Sequence, residues 1–481
     1  MNKQIDNNFC GILQYNYGTE VDDLFFHVVD DLVTLLPATE ESKKRIINSV
    51  ESVKSKELKE RDNTRWLFGF AENGCSVAFF QPGDLNINFS FPIDLQPAKF
   101  RTPIILQSTT PSGIDLHTFN EIEFCGGIVD LLYFPSKAIE GCASDRTISF
   151  REPKHYTRRF SVNVNDVVFD VVFTVSFKDL VRELGKVPDL RRYIHSVLRF
   201  EFHSAQPIDT FETYYKYALR FFQFCVGRNN LDFNVKLYQR TEKQRFSILT
   251  KFVDGFDDYA NDKLDCIHLI HFEDLKNKFP KLFSVLNEKA QQPNLLFLPK
   301  RNKDIGYVYY TNITDLCVSL DKEYNYIKSK LLDNNKKQAK ALAKELNSYI
   351  DKSNYPQNVK EKAKALNCGE LANMQPSLKE KIIVLYDDFA VQLNEISNCN
   401  YHDHDNSTSI EKYSDEDFKR LIGKFVQIRN SAAHSGIIWN EGIEIYQHLQ
   451  LLMYFCVLKR AGYTLEESKK VLLNIFKWRF L

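Results

Sequence analysis

Apolar and polar positions alternate in the first part of the chain and recur at helical spacing in the last. Val167, Phe169, Val171, Phe173, Val175 and Phe177 fall at every second position, so a strand from Val167 to Phe177 has one apolar face. Asn165-Asp166, just before it, joins this strand to FSVNV as a hairpin. Trp66 to Phe70, Ser76 to Phe80 and Asn86 to Phe91 are short aromatic and β-branched runs. Turn residues such as Asn73-Gly74 and Pro82-Gly83-Asp84 separate them. Many short strands predict a β-sandwich-like or barrel-like sheet.

The period shifts near residue 205. Asp209 with Glu212 marks a helix start, and an aromatic-rich helix follows to Gly227, while 231–239 reads as one more strand. From about residue 262 onward the spacing is helical. Ile313, Leu316, Leu320, Ile327 and Leu331 share one face of a long helix, with Thr311 as its cap. Ser377 with Glu380, Ser414 with Asp417 and Thr464 with Glu467 each open a further helix, the first running to about Ile396. The second of these has Phe418, Leu421, Ile422, Phe425 and Ile428 on its apolar face. Residues 443–461 are apolar nearly all round, which suits the centre of a bundle, and Gly462 ends that helix. The expected fold class is therefore α+β. A strand-rich, sandwich-like N-terminal domain covers about 1–260, with a helix at about 209–226. An all-helical C-terminal domain covers about 261–481. No internal repeat is visible.

Composition narrows the partners. The 481 residues carry 63 Lys+Arg and 63 Asp+Glu, a net charge of zero. Such a chain exerts no global attraction on nucleic acid or an anionic membrane, so any nucleic-acid site is a local patch. One stretch stands apart: residues 328–365 hold ten Lys and four acids, a local charge of +6 (10 − 4). It could hold an RNA backbone, although such a run is more often an exposed charged helix, which its Ala-Lys-Glu content supports. The ten cysteines include no CxxC pair, and two sit in the apolar runs FFQFCV and MYFCV. That pattern predicts buried free thiols in a reducing compartment. No apolar run approaches the ~20 residues that span a bilayer, and MNKQIDNNFCGILQY lacks a secretory layout. The expectation is a cytoplasmic protein with no membrane partner.

The candidate chemistry lies in FVQIRNSAAHSGI, with Arg429, Asn430 and His434. Arg429 falls at the end of a capped amphipathic helix, and Ser435-Gly436 supplies a helix stop. Residues five apart on a continuous helix sit about 140° from each other. Arg429 and His434 therefore meet only if the helix ends between them, or if a second copy supplies the matching pair. The plain alternative is a helix-end Arg paired with a carboxylate and a His interacting with the macrodipole.

RNSAAH, set between two bundle helices, resembles the R-x4-6-H motif of the HEPN superfamily of ribonucleases, with a polar residue after the Arg. The arrangement also resembles the ApeA-like members, anti-phage proteins with a strand-rich N-terminal domain and a C-terminal HEPN bundle. The lysine-rich insertion at about 328–365 departs from the usual bundle. The resemblance implies metal-independent RNA cleavage by Arg429, Asn430 and His434, with no metal and no cofactor. It also implies a homodimer through the helical domain, an RNA substrate such as tRNA, and a phage-derived trigger sensed by the N-terminal domain. A catalytically inactive module that dimerises, or binds RNA or a partner, is the alternative. An acidic residue on an early helix can face the site in such domains, which would let Glu323 position Arg429; a salt-bridged or solvated face for Asp321 and Glu323 is the other reading.

Weaker candidates remain. Tyr401-His402-Asp403-His404-Asp405 has metal-capable side chains but reads as a solvated loop. Arg158-Arg159 and Arg191-Arg192 are basic pairs without further context. There is no P-loop, GxGxxG or GxSxG.

Overall fold

The computed structural model describes residues 5–17, 20–37, 41, 66–80, 98–111, 114–142, 147–177, 194–231, 233–240, 244–252, 269–300, 308–367, 376–399, 414–431 and 440–476. The chain divides into two compact units, one of residues 1–219 and 231–262, the other of 220–230 and 263–481. The architecture is α+β: an antiparallel sheet in the first unit, helices in the second. The expected strand at 86–91 lies outside the described residues.

Fifteen strands are described. They are β1 (Asn8–Tyr17), β2 (Glu20–Val29), β3 (Leu32–Pro37), β4 (Trp66–Ala71), β5 (Ser76–Phe80), β6 (Ala98–Arg101), β7 (Ile104–Ser108) and β8 (Thr118–Cys125). Then follow β9 (Ile139–Cys142), β10 (Thr147–Phe150), β11 (Arg158–Val164), β12 (Val167–Phe177), β13 (Ile194–Pro207), β14 (Asn234–Arg240) and β15 (Arg245–Phe252). Thirteen of them join one sheet in the order β11-β12-β13-β8-β14-β15-β7-β5-β4-β1-β2-β3-β6, and β9 pairs β10 separately. The described strands thus form one continuous ladder, where a sandwich would have two hydrogen-bonded sheets. Long-range insertions make the ladder continuous: β8 lies between β13 and β14, and β7 between β15 and β5.

The β11–β12 hairpin turns on Asn165 and Asp166, both at positive φ (50° and 66°), as a two-residue primed turn requires. Phe169, Val171, Phe173 and Val175 are buried, so the alternation read along β12 is realised. Phe169 packs against helix α1 (Phe211–Val226), whose Tyr214 ring lies 5.7 Å from it and 4.5 Å from Phe202, while Phe173 lies 5.6 Å from Tyr133. At the other end of the sheet, Leu13, Leu24, Phe26, Val28, Val33 and Phe79 build a second apolar cluster. On the opposite face Phe70, Ile12, Phe25 and Leu36 pair directly across four strands and are all exposed.

The helical unit contains α2 (Phe279–Asn287), α3 (Tyr310–Ile327), α4 (Ser329–Lys352), α5 (Gln357–Leu366) and α6 (Leu378–Asp387). It continues with α7 (Ala390–Cys399), α8 (Asp415–Ser431), α9 (Asn440–Arg460) and α10 (Leu465–Phe476). Three N-termini follow the expected capping boxes. Ser377 N–H donates to Glu380 at 2.7 Å, Asp417 N–H to the Ser414 hydroxyl at 3.1 Å, and Thr464 N–H to Glu467 at 2.7 Å. Two expectations are corrected. Tyr309, not Thr311, is the N-cap of α3, and Asn312 at the third helical position accepts the Tyr309 N–H on its Oδ1 at 3.1 Å. The helix opened by Ser377 stops at Asp387, because Phe389 turns inward against Phe455 and Asp388 pairs with Lys328 and Lys459. Helix α9 is buried on every side from Ile445 to Leu458, as its sequence requires. After it Gly462 takes φ 85° and Tyr463 N–H closes back on the Leu458 carbonyl. Cys225 and Cys456 are free and buried. Among the described residues no helix is long and apolar enough to cross a membrane.

Candidate functional site

Arg429 and Asn430 occupy the last turn of α8. The helix is seated by Phe418, Leu421, Ile422 and Phe425, all buried, which leaves its end at the surface. Both Arg429 and Asn430 are exposed there. The Arg429 Nη1 donates to the Asn430 Oδ1 at 3.2 Å. Among the described residues no carboxylate lies within ion-pair distance of this guanidinium. Tyr310, at the start of α3, donates its hydroxyl to the Arg429 carbonyl and so satisfies one of the open carbonyls at the α8 terminus. Nothing in the sequence singled out Tyr310, since it acts 119 positions away.

The guanidinium also makes itself felt inside α3. Burial pushes the Cys317 thiol up to about 12, and the charge on Arg429 opposes that rise. The Tyr310 bond places the Arg429 backbone beside the start of α3. His434 lies outside the described residues, as do His402 and His404 and the Arg191-Arg192 pair.

Glu323 belongs elsewhere. Its carboxylate is fully buried and receives the Arg460 Nε and Nη2, each at 2.7 Å. Arg460 also donates to the Gln291 carbonyl at 2.7 Å and stacks over Tyr326. The expectation that Glu323 positions Arg429 is thus corrected: this carboxylate is committed to a bidentate pair that ties α3 to α9, the salt-bridged reading of that face. Asp321 likewise pairs with Lys381 at 2.7 Å.

A second polar cluster, unanticipated from the sequence, lies on the sheet. Arg199 reaches Glu201 at 3.2 Å and Glu123 at 3.3 Å, and Arg245 reaches Glu121 at 2.7 Å. Arg159 bridges Asp170 and Glu201 at 2.7 and 2.8 Å, and Arg240 also contacts Glu121. Four guanidiniums thus face four carboxylates, so the cluster has no net charge to offer a ligand. It holds six strands together, β8 and β11 to β15. The signal was present in EIEF and RFEF, where charges alternate with core residues. Arg159 of the Arg158-Arg159 pair is spent here; Arg158 donates to the Thr157 carbonyl.

No family model, no curated protein and no solved structure matches this chain.

Proposed function

We propose that the helical unit is a HEPN-type endoribonuclease, with Arg429, Asn430 and His434 as its catalytic residues. The reading is carried by one observation: Arg429 is exposed at a helix end, hydrogen-bonded to Asn430, with no carboxylate partner among the described residues. Among the described residues, the plain alternative of a helix-end ion pair finds no acid to supply it.

The chemistry suits these side chains. A ribose 2′-hydroxyl attacks the adjacent phosphorus and displaces the 5′-oxygen. One proton leaves the 2′-oxygen and another joins the leaving oxygen, tasks for an imidazole that titrates near neutrality. Negative charge grows on the phosphorane oxygens, and the planar, permanently charged Arg429 donors are suited to hold it. Asn430 restrains the guanidinium. The products are a 2′,3′-cyclic phosphate and a 5′-hydroxyl. A homodimer through the helical unit would bring two such sets together. The strand-rich unit would sense a phage-derived trigger and restrain cleavage until it arrives, making the protein an abortive-infection effector.

The test is cleavage of a tRNA or mRNA pool in EDTA, with end-group analysis. Wild type is expected to leave cyclic-phosphate ends; Arg429→Ala and His434→Ala are expected to lose cleavage by at least about 100-fold. Arg429→Lys separates catalysis from a helix-end role. A lysine serves the macrodipole equally well but lacks the planar fork, so stability is expected within about 0.5 kcal/mol and cleavage largely lost. If folded Ala variants cleave as wild type does, the assignment fails. If wild type binds RNA tightly without cleaving it, the inactive-module reading replaces it.

A further inference from the structure

Helices α4 and α5 form a hairpin with almost no core of its own. Ala343 is its single buried residue among those whose burial is described, and α5 buries none. The two helices are joined instead by polar links. Asn367 donates to the Ala343 carbonyl and to Asn347 at 2.8 and 2.9 Å, and Lys360 donates to the Asp351 carbonyl at 3.0 Å. Lys364 pairs with Asp351 and Lys328 with Asp388, but Lys336, Lys340, Lys344 and Lys352 are exposed and make no ion pair among the described residues. The first three stand at four-residue steps and share one side of α4.

The tip is aromatic. Tyr349 and Tyr355 are the two most exposed large apolar side chains among the described residues, 76% and 69% accessible. Tyr349 is one turn from Lys352, and about 140° around the helix from Lys344. A ligand reaching both the lysine row and the tyrosines must be a flexible polyanion that wraps the tip and offers flat groups for stacking. Single-stranded RNA has those properties; a duplex hides its bases. Besides leucines such as the exposed Leu342 and Leu346, a membrane surface would favour Phe and Trp next to the lysines. The hairpin contains neither, in a chain with 38 Phe and 3 Trp.

We propose that the α4–α5 hairpin is a single-stranded RNA-binding arm, with Lys336, Lys340, Lys344 and Lys352 holding phosphates and Tyr349 and Tyr355 stacking on bases. The inference deepens the ribonuclease reading and rests on it for the identity of the polyanion. Its test does not need cleavage.

The full-length chain is titrated against a fluorescent single-stranded 2′-O-methyl RNA, which lacks the attacking hydroxyl, across about 50–300 mM salt. Four phosphate contacts give a log–log salt slope of about −3 from this arm, at about 0.7 per contact. Changing the four lysines to Gln together is expected to remove that slope and most of the affinity. Tyr349→Ala and Tyr355→Ala are each expected to weaken binding about 5- to 150-fold, equivalent to about 1–3 kcal/mol, while Tyr→Phe variants retain it. The altered side chains are exposed, and unchanged melting temperatures would show that the fold persists. The proposal is overturned if the lysine and tyrosine variants bind as wild type does, or if wild type ignores the RNA. Retention of wild type on phosphatidylserine vesicles in preference to RNA, abolished by Leu342→Ser with Leu346→Ser, would also overturn it. Binding without cleavage of ordinary RNA would refute the nuclease and leave the arm. Cleavage with an unchanged KM in the arm variants would refute the arm and leave the nuclease.

Discussion

Removing Arg460 should unmask how the helical unit tolerates a charge in its core. Glu323 is 0% exposed and Arg460 8%, and two hydrogen bonds of 2.7 Å join them. Arg460→Met keeps most of the stem volume and leaves a buried carboxylate without a counter-charge, a change that costs about 3–5 kcal/mol. At about 2–4 °C per kcal/mol for a unit of this size, melting should fall by about 6–20 °C. The pH dependence gives a second handle. Burial pushes the Glu323 carboxyl from 4.5 up to about 7, against the pull of Arg460. Its folded value is raised, so its contribution is fully present below the unfolded value and is lost as pH rises through 7. The loss therefore falls between the ordinary carboxyl range and about pH 7. In wild type the loss ends near pH 7. In Arg460→Met the carboxyl rises further, so stability should keep falling above pH 7 by about 1.4 kcal/mol per unit. Glu323→Leu with Arg460→Met should abolish this slope and recover the wild-type melting temperature or exceed it. Circular dichroism melts of the three proteins between about pH 5 and pH 9 provide the measurement, with differences between variants cancelling the other titrating groups. A single variant that melts within about 2 °C of wild type near pH 8, or whose deficit does not grow with pH, would refute the reasoning.

Other perturbations probe the sheet and the helix ends. Gly69 sits where β4 approaches β1 so closely that an added Cβ would fall on the Ile12 carbonyl; Gly69→Ala should abolish soluble expression. Gly127→Ala, where nothing lies within 4 Å, should instead raise stability by about 0.5–1 kcal/mol in urea unfolding. Ser377→Ala should cost about 1 kcal/mol by the same measurement. The Ser377 N–H and hydroxyl hold the Glu380 carboxyl below its usual range. Its titration, followed by carbon NMR, should therefore move upward in that variant. Burial raises the thiols of Cys225 and Cys456 well above their ordinary range and that of Cys317 to about 12. Alkylation of the native protein followed by peptide mass mapping should find all three unmodified.

What could be read in the sequence was local. A period of two along β12, the two-residue turn before it, and three boxes of Ser or Thr with an acid three positions on all depend on residues near one another. The break at Asp388 was invisible because its causes, Lys328 and Lys459, lie 60 and 71 positions away. The strand order was invisible for the same reason, since β1 bridges β2 and β4 while β6 closes the edge beside β3. The charged row on the sheet required knowing that β8, β11, β13 and β15 come together in one sheet. Only then do Glu121, Glu123 and Glu201 find Arg199, Arg159 and Arg245.

The arginines show why a motif needs its surroundings. By sequence alone, Arg460 at the end of α9 and Arg429 at the end of α8 are equivalent: both are basic residues in a last helical turn. Their partners separate them. Arg460 gives all its donor groups to one buried carboxylate and one carbonyl, so its charge is consumed by the fold. Arg429 gives one donor to the neighbouring Asn430 amide and leaves the rest of its fork exposed. Lack of an ion pair is not enough by itself, because Arg158 also contacts a carbonyl alone. Arg429 differs in having an adjacent amide to fix its plane and a Tyr310 hydroxyl to tie down its backbone. A guanidinium held by a neighbouring amide, on a tied-down backbone and with no neutralising acid among the described residues, retains its attraction for an anion while having less orientational freedom left to lose. In the proposed ribonuclease, that is the condition under which this arginine would stabilise a phosphorane better than it stabilises a helix.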